Sequence, residues 1–162
     1  MSSWKLIKGL NFRQLKSLLM LFVKHPFFMI STVKATFSVM KIAQKEFPNV
    51  HGQLNKANAF RHALWNVFIA MECSKFSKNT EAILQWAKDF TDWHEEFAPN
   101  EELAKIMDLH NNLIGRELYR KFEGKDKNQW VVFMKDALLK AIKIASVNDV
   151  ANYPNQLVYL EN

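Results

Sequence analysis

The stretch Asn58-Ala-Phe-Arg-His-Ala-Leu-Trp-Asn66 decides how this chain folds. At 3.6 residues per turn, Asn58, His62, Asn66 and Ile69 share one face, with Trp65 at its edge and Arg61 beside it. Phe60, Leu64, Val67 and Met71 fall on the opposite side. A face meant only for water would rarely choose Asn, His, Trp and Asn. The segment therefore reads as a helix that is apolar on one side and carries chemical groups on the other.

Two further stretches repeat the pattern. In Asp92-Trp-His-Glu95, His94 closes the stripe Ile83, Ala87, Phe90, which predicts an inward His94 with Asp92 and Glu95 beside it. In Met107-Asp-Leu-His-Asn-Asn112, the residues Ala104, Asp108, Asn111 and Gly115 fall on one narrow stripe with Asn112 adjacent. Leu103, Met107, His110, Ile114 and Leu118 define the apolar side of that helix. Gly115 inside a helix costs ~1 kcal/mol relative to Ala. Close approach of another helix or of a ligand would repay it, so the three stretches predict a polar seam between three helices.

Capping signals mark out the remaining elements. Asn55 suits the N-cap of the helix carrying His62, and Pro48 to Gly52 reads as the loop before it. Asn79 or Thr80 can cap the next helix. Pro99-Asn100-Glu-Glu predicts an N-cap at Asn100 for the one after, and Asp126-Lys-Asn-Gln129 resembles a capping box. That last helix is expected to carry Trp130, Phe133, Ala137, Ala141 and Ile144. From Asn148 the chain reads as an irregular tail around Pro154, and Leu157-Val-Tyr-Leu160 is too short and terminal to predict a strand.

Two amphipathic helices come first. Phe12, Leu15, Leu19 and Phe22 recur at helical spacing with Leu18 beside them. Pro26 suits the first turn of a second helix, where Phe27, Ile30, Val33, Phe37 and Met40 form a stripe and Lys34, Lys41 and Lys45 lie along another. A pair of membrane-surface helices has this pattern, and so do two helices wrapped on a core. The run Leu18-Leu-Met-Leu-Phe-Val23 is too short to span a bilayer and lacks the features of a secretory signal. The expected location is cytoplasmic, or peripheral to the inner membrane face.

Composition agrees with an all-α, single-domain bundle of about six helices over residues 1–162. Basic amphipathic helices occupy 1–47 and a helical core carrying the motif occupies 53–147. The 162 residues are 49% hydrophobic and 13% aromatic with four Gly and four Pro, which excludes a disordered chain. The lone Cys73 cannot form an intrachain bridge and reads as a core residue. The net charge is +6, and residues 1–56 hold nine Lys or Arg against one acid, Glu46. This asymmetry points residues 1–46 at an anionic membrane surface. Nucleic acid is the weaker partner, because the aromatic side chains sit on the apolar stripe and do not interleave with the lysines as stacking platforms.

The polar seam carries the chemistry. His62, His94, Asp108 and Glu95 are the catalytic candidates, able to supply a base, an acid and an orienting group. Arg61 can stabilise a developing anion. Asn58, Trp65, Asn66, Asn111, Asn112 and Arg116 complete the substrate-binding set. A divalent metal is compatible with these groups, although no His-Glu-x-x-His spacing signals one.

The motifs Ala59-Phe-Arg-His-Ala-Leu-Trp-Asn66, His94-Glu95 and Met107-Asp-Leu-His-Asn-Asn-Leu-Ile-Gly-Arg116 together resemble an uncharacterised bacterial domain-of-unknown-function family. Domains of that kind also occur at the C-termini of wall-associated and polymorphic-toxin-like proteins. The resemblance implies that Arg61, His62, Trp65, Asn66, His94, Glu95, Asp108, Asn111, Asn112, Gly115 and Arg116 form the shared motif, and its toxin-like settings favour an enzyme. The expected function is a small helical hydrolase acting on an anionic lipid or phosphate-containing substrate. The alternative is a non-enzymatic membrane- or protein-binding module whose polar seam is structural.

Overall fold

A computed structural model describes residues 11–50, 53–98 and 100–160. Gly52 and Pro99, which belong to two of the loop and cap signals, lie outside the described residues, as do Lys5 and Lys8. Helix α1 spans Phe12–Lys24 and α2 spans Pro26–Glu46. Helices α3 (Lys56–Cys73), α4 (Thr80–Phe97), α5 (Glu102–Phe122) and α6 (Lys127–Leu139) follow. Strand β1 (Ile142–Lys143), the short α7 (Val147–Ala151) and β2 (Val158–Tyr159) close the described chain. Among the described residues the result is a mostly helical bundle of seven helices, six of them substantial.

The bundle is built around α3. Asn55 caps it by accepting from the backbone N–H groups of Ala57 and Asn58, and fifteen of its eighteen residues are buried. Buried on nearly every side, it packs against α2, α4, α5 and α6. The side carrying Phe60, Leu64 and Phe68 enters the main core with Trp130, Met134 and Val39. Its polar face is equally enclosed, against α4 and α5.

Most caps form where the sequence places them. Pro26 occupies the first turn of α2, Asn79 caps α4 by accepting from Ala82, and Asp126 and Gln129 make a reciprocal capping box on α6. Cys73 is buried in the core, and burial pushes its thiol up to about 12. The expected cap at Asn100 is displaced: Glu101 occupies the N-cap position without a side-chain bond, because the Asn100 amide is drawn to Asp108. Helix α5 ends at Phe122, two residues before Gly124, whose φ of 99° few other residues would adopt.

The C-terminal segment corrects the sequence reading. Helix α6 stops at Leu139, so Ala141 and Ile144 are not on it. Ile142-Lys143-Ile144 alternates apolar and polar, and β1 pairs in parallel with β2, Ile142 opposite Val158 and Lys143 opposite Tyr159. Val147–Ala151 is a short helix with a Ser146–Asp149 capping box rather than irregular tail. Ile144 and Val158 pack with Met107 of α5 in a small second core.

On the other side of the bundle, α1 buries no residue fully. On α2 the buried positions are Phe28, Met29, Ser31, Thr32, Ala35, Val39 and Ala43. The more apolar stripe, Phe27, Ile30, Val33, Phe37 and Met40, is left exposed. No single helix among the described residues is long and apolar enough to cross a membrane, and α1 and α2 meet at a bend of 116°.

Candidate functional site

The seam forms because α5 can come unusually close to α3. A Cβ at Gly115 would stand 2.2 Å from the Ala63 carbonyl oxygen, so only glycine allows the two backbones to meet there. The approach of a helix, not of a ligand, explains this glycine. Asn112 lies one turn and Asp108 two turns before it, and both are thereby brought against His62 from one side. Helix α4 supplies Glu95 from the other.

His62 is the hub of the resulting cluster. Its Nδ1 lies 3.3 Å from Glu95 Oε1 and 3.3 Å from Asn112 Oδ1, and its Nε2 lies 3.4 Å from Asp108 Oδ1. Arg61 Nη2 stands 2.7 Å from Nε2. A guanidinium can only donate, so Nε2 is the accepting nitrogen and the imidazole proton belongs on Nδ1, facing Glu95 and Asn112. Asn112 in turn donates to Glu95 Oε1 at 3.2 Å and accepts from Asn66 at 2.8 Å. Asn100 donates to Asp108 Oδ2 at 3.2 Å.

His62, Glu95 and Asp108 are all buried, at 2%, 1% and 2% exposure. Despite this, Glu95 Oε2 and Asp108 Oδ1 have no hydrogen-bond partner among the described residues, and the same holds for Asn58 Oδ1. Buried polar atoms are nearly always paired, so two open carboxylate oxygens on either side of one imidazole are exceptional. Arg61 is half-buried and is the member of the cluster that reaches toward solvent.

The two carboxyl groups are driven apart electrostatically. Asp108 is pushed up to about 6, chiefly by burial and further by the Glu95 charge, with His62 and Arg61 opposing. Burial also raises Glu95, but the His62 hydrogen bond, the charges of His62 and His94, and the Asn112 bond outweigh it and hold Glu95 below its ordinary value. Burial lowers the Arg61 pKa, opposed by Asp108 and Glu95. The site therefore holds one ionised carboxylate, one carboxyl that takes up a proton in mildly acid solution, and a fixed cation.

These groups could also hold a metal. One ligand atom each from His62, Glu95 and Asp108 can be chosen within 4.8 Å of one another, a spacing one divalent cation could bridge. The Arg61 guanidinium now stands in the place of such a cation at Nε2 and would have to swing outward to admit one.

The other sequence-selected residues separate into rim and frame. The stripe on α4 runs through Ala87 and Thr91 to Glu95, so Glu95 points inward while His94 is exposed, its ring edge-on to Trp65 at 5.1 Å. Desolvation of the His94 ring lowers its pKa; Glu95 opposes this, and His62 and Arg61 reinforce it. Trp65 donates to Thr36 of α2 at 2.8 Å and forms the rim with His94.

Asn111 does not face the cluster. It donates to the Val158 carbonyl at 2.8 Å and accepts from the Val158 N–H at 3.0 Å, completing the open edge of β2. Arg116 is buried and donates to Asn66 Oδ1 at 2.9 Å and Thr91 Oγ1 at 3.4 Å, holding the frame behind the site. Thr91 was not singled out by the sequence, and Asn100 was expected only as a helix cap. Thr91 was legible as the residue one turn before Glu95, whereas the Asn100 contact depends on the turn between α4 and α5.

Comparison with curated proteins and with solved structures returns no match. A family model does match, over residues 19–143, which contain every member of the His62 cluster, the second half of α1 and all of α2. The match extends well beyond the 58–116 stretch that carries the motifs, and its description names no reaction. The chain belongs to the family described as Domain of unknown function (DUF6973).

Proposed function

We propose that this protein is a hydrolase acting on an anionic ester, of the lipid or phosphate-containing class, with His62 as its base. The observation that carries this reading is the pair of buried, unpartnered carboxylate oxygens flanking a single oriented imidazole. A network serving only to hold helices in register would satisfy its own atoms.

In this reading Glu95 holds the Nδ1 proton and stabilises the imidazolium that forms. Arg61 moves onto the substrate anion, which frees Nε2. Nε2 takes a proton from water, the resulting hydroxide attacks the ester, and the leaving oxygen takes its proton from the Asp108 carboxyl. The proton on His62 then returns to Asp108, and the pair is reset. Trp65 and His94 line the approach. Activity should fall as pH rises past about 6, where Asp108 loses its proton.

The test is hydrolysis of phosphatidylglycerol vesicles and of aryl phosphate mono- and diesters by the full chain, His62→Ala and Asp108→Asn. Turnover of one class, lost in both variants while the helical circular dichroism is retained, supports the reading. Turnover unchanged in both folded variants, or none by the parent chain on any substrate, overturns it.

The enclosure of the cluster favours a second reading, a non-enzymatic binding module whose seam only fixes helix register. That reading expects His62→Ala to lower the melting temperature strongly while the surviving folded protein keeps its binding partners.

A further inference from the structure

Helices α1 and α2 bear the least expected surface of the molecule. Eleven of the seventeen exposed large apolar side chains among the described residues belong to these two helices. Phe12 is 83% exposed, Val23 71%, Phe27 61% and Phe37 52%. Folding did not lack a better choice: the core face of α2 includes Ser31, Thr32, Ala35 and Ala43, while the stripe of Phe, Ile, Val and Met looks outward. The two outward stripes meet in an apolar groove of about 550 Å³, with Leu15, Leu19 and Phe22 on one wall and Ile30 and Val33 on the other. Isolated surface hydrophobes need no explanation, but a continuous face of this size marks an interaction site.

Charge identifies the occupant. Lys16, Lys24, Lys34, Lys41 and Lys45 lie on the same two helices and are exposed, and Arg13 there is paired to Glu96 of α4 at 3.1 Å. Glu46 is the one acid there, and it is paired to Lys135 at 2.7 Å. A second copy of this face would bring like charges together. An anionic bilayer offers both things the face requires, a negative surface for the lysines and an acyl boundary for the apolar stripe. The two helices meet at a bend of 116°, and neither alone is long and apolar enough to cross a bilayer.

We infer that α1 and α2 form an interfacial platform that docks the protein on an anionic lipid bilayer. The platform stands whether or not the buried cluster is catalytic.

The test is sedimentation of the full chain with phosphatidylcholine vesicles, pure or containing about a third phosphatidylglycerol. Binding to the anionic vesicles should exceed binding to the neutral ones by at least about tenfold and weaken with salt. Lys34→Gln with Lys41→Gln should lower partitioning about fivefold per charge removed. Phe37→Ser with Leu19→Ser should abolish most of it. All four side chains are exposed, so unchanged melting temperatures will show that these variants fold.

Equal binding to neutral vesicles, or partitioning untouched by both double variants, overturns the inference. So does a dimer in solution that Phe37→Ser dissolves, which would make a second copy the occupant. Tighter binding to single-stranded polyuridine than to the anionic vesicles would overturn it as well.

Discussion

Replacing Asp108 by Asn should make the protein more stable at neutral pH. Asp108 is buried, and its pKa is displaced from an ordinary 3.8 to about 6, mainly by desolvation. Between those two values the folded protein binds the proton that the unfolded chain has released, so stability falls as pH rises through this window. Above about pH 6 the whole penalty is present, and the displacement corresponds to about 3 kcal/mol. Attraction to Arg61 and His62 is already contained in that displacement, because both lower the Asp108 pKa.

Asn at 108 carries no charge at any pH and can still accept from Asn100 through its carbonyl oxygen. Urea unfolding of the parent and of Asp108→Asn from pH 4 to pH 8 should therefore give nearly equal stabilities at pH 4. At pH 7.5 the variant should lead by up to about 3 kcal/mol, with the difference developing around pH 4 to 6. Glu95 is common to both proteins, so its own titration largely cancels in the difference. A gap that does not change with pH, or a variant that loses stability as pH rises, would refute the reasoning. A residue whose removal stabilises the fold while abolishing turnover is what a site held at a cost for chemistry should show.

The other perturbations address the cation, the close helix contact and the strand edge. Arg61→Gln removes a charge that lowers the Asp108 pKa, so Asp108 should titrate above 6 in this variant; a carboxyl NMR titration that shows the same or a lower value would contradict the assigned electrostatics. Gly115→Ala drives a methyl group to 2.2 Å from the Ala63 carbonyl and should cost about 3 kcal/mol or more, read as a lowered urea midpoint. Asn111→Ala leaves the Val158 N–H and C=O unpaired and should cost about 1 to 3 kcal/mol, with faster hydrogen exchange at Val158 and little change at His62.

The parts of this molecule that the sequence made legible are those settled within one helix. Asn55, Asn79 and Asp126 each satisfy donors two or three residues away, so their caps can be read from spacing alone. Gly115 is similar in kind: its cost in a helix announced a close contact, although only the fold reveals that Ala63 makes it.

Illegibility begins where two solutions share one periodicity. From Ala87, the stripe on α4 continues equally well through Phe90 to His94 or through Thr91 to Glu95. The choice rests on where α3 and α5 leave room for a carboxylate between Asn112 and His62. Asn111 posed the same problem, since it stands beside Asn112 yet serves the backbone of β2, forty-seven residues away. Parallel strands of two residues leave almost no local signature, and here the pairing was invisible until Asn111 was seen to complete it.

The α1–α2 stripes show the opposite limit. Their periodicity was read correctly, but hydrophobicity alone could not say that α2 would give Ser31, Thr32, Ala35 and Ala43 to the core beside Phe28, Met29 and Val39 and leave the stripe Phe27, Ile30, Val33, Phe37 and Met40 outside. That inversion follows from the width of the gap over α3. Ala35 and Ala43 are fully buried on the inward face of α2, Thr32 receives the Trp86 indole at 2.9 Å and Thr36 receives that of Trp65. Small residues and hydroxyls take much of the inward face beside Phe28, Met29 and Val39, so the second apolar stripe is left outward, where its burial awaits another surface.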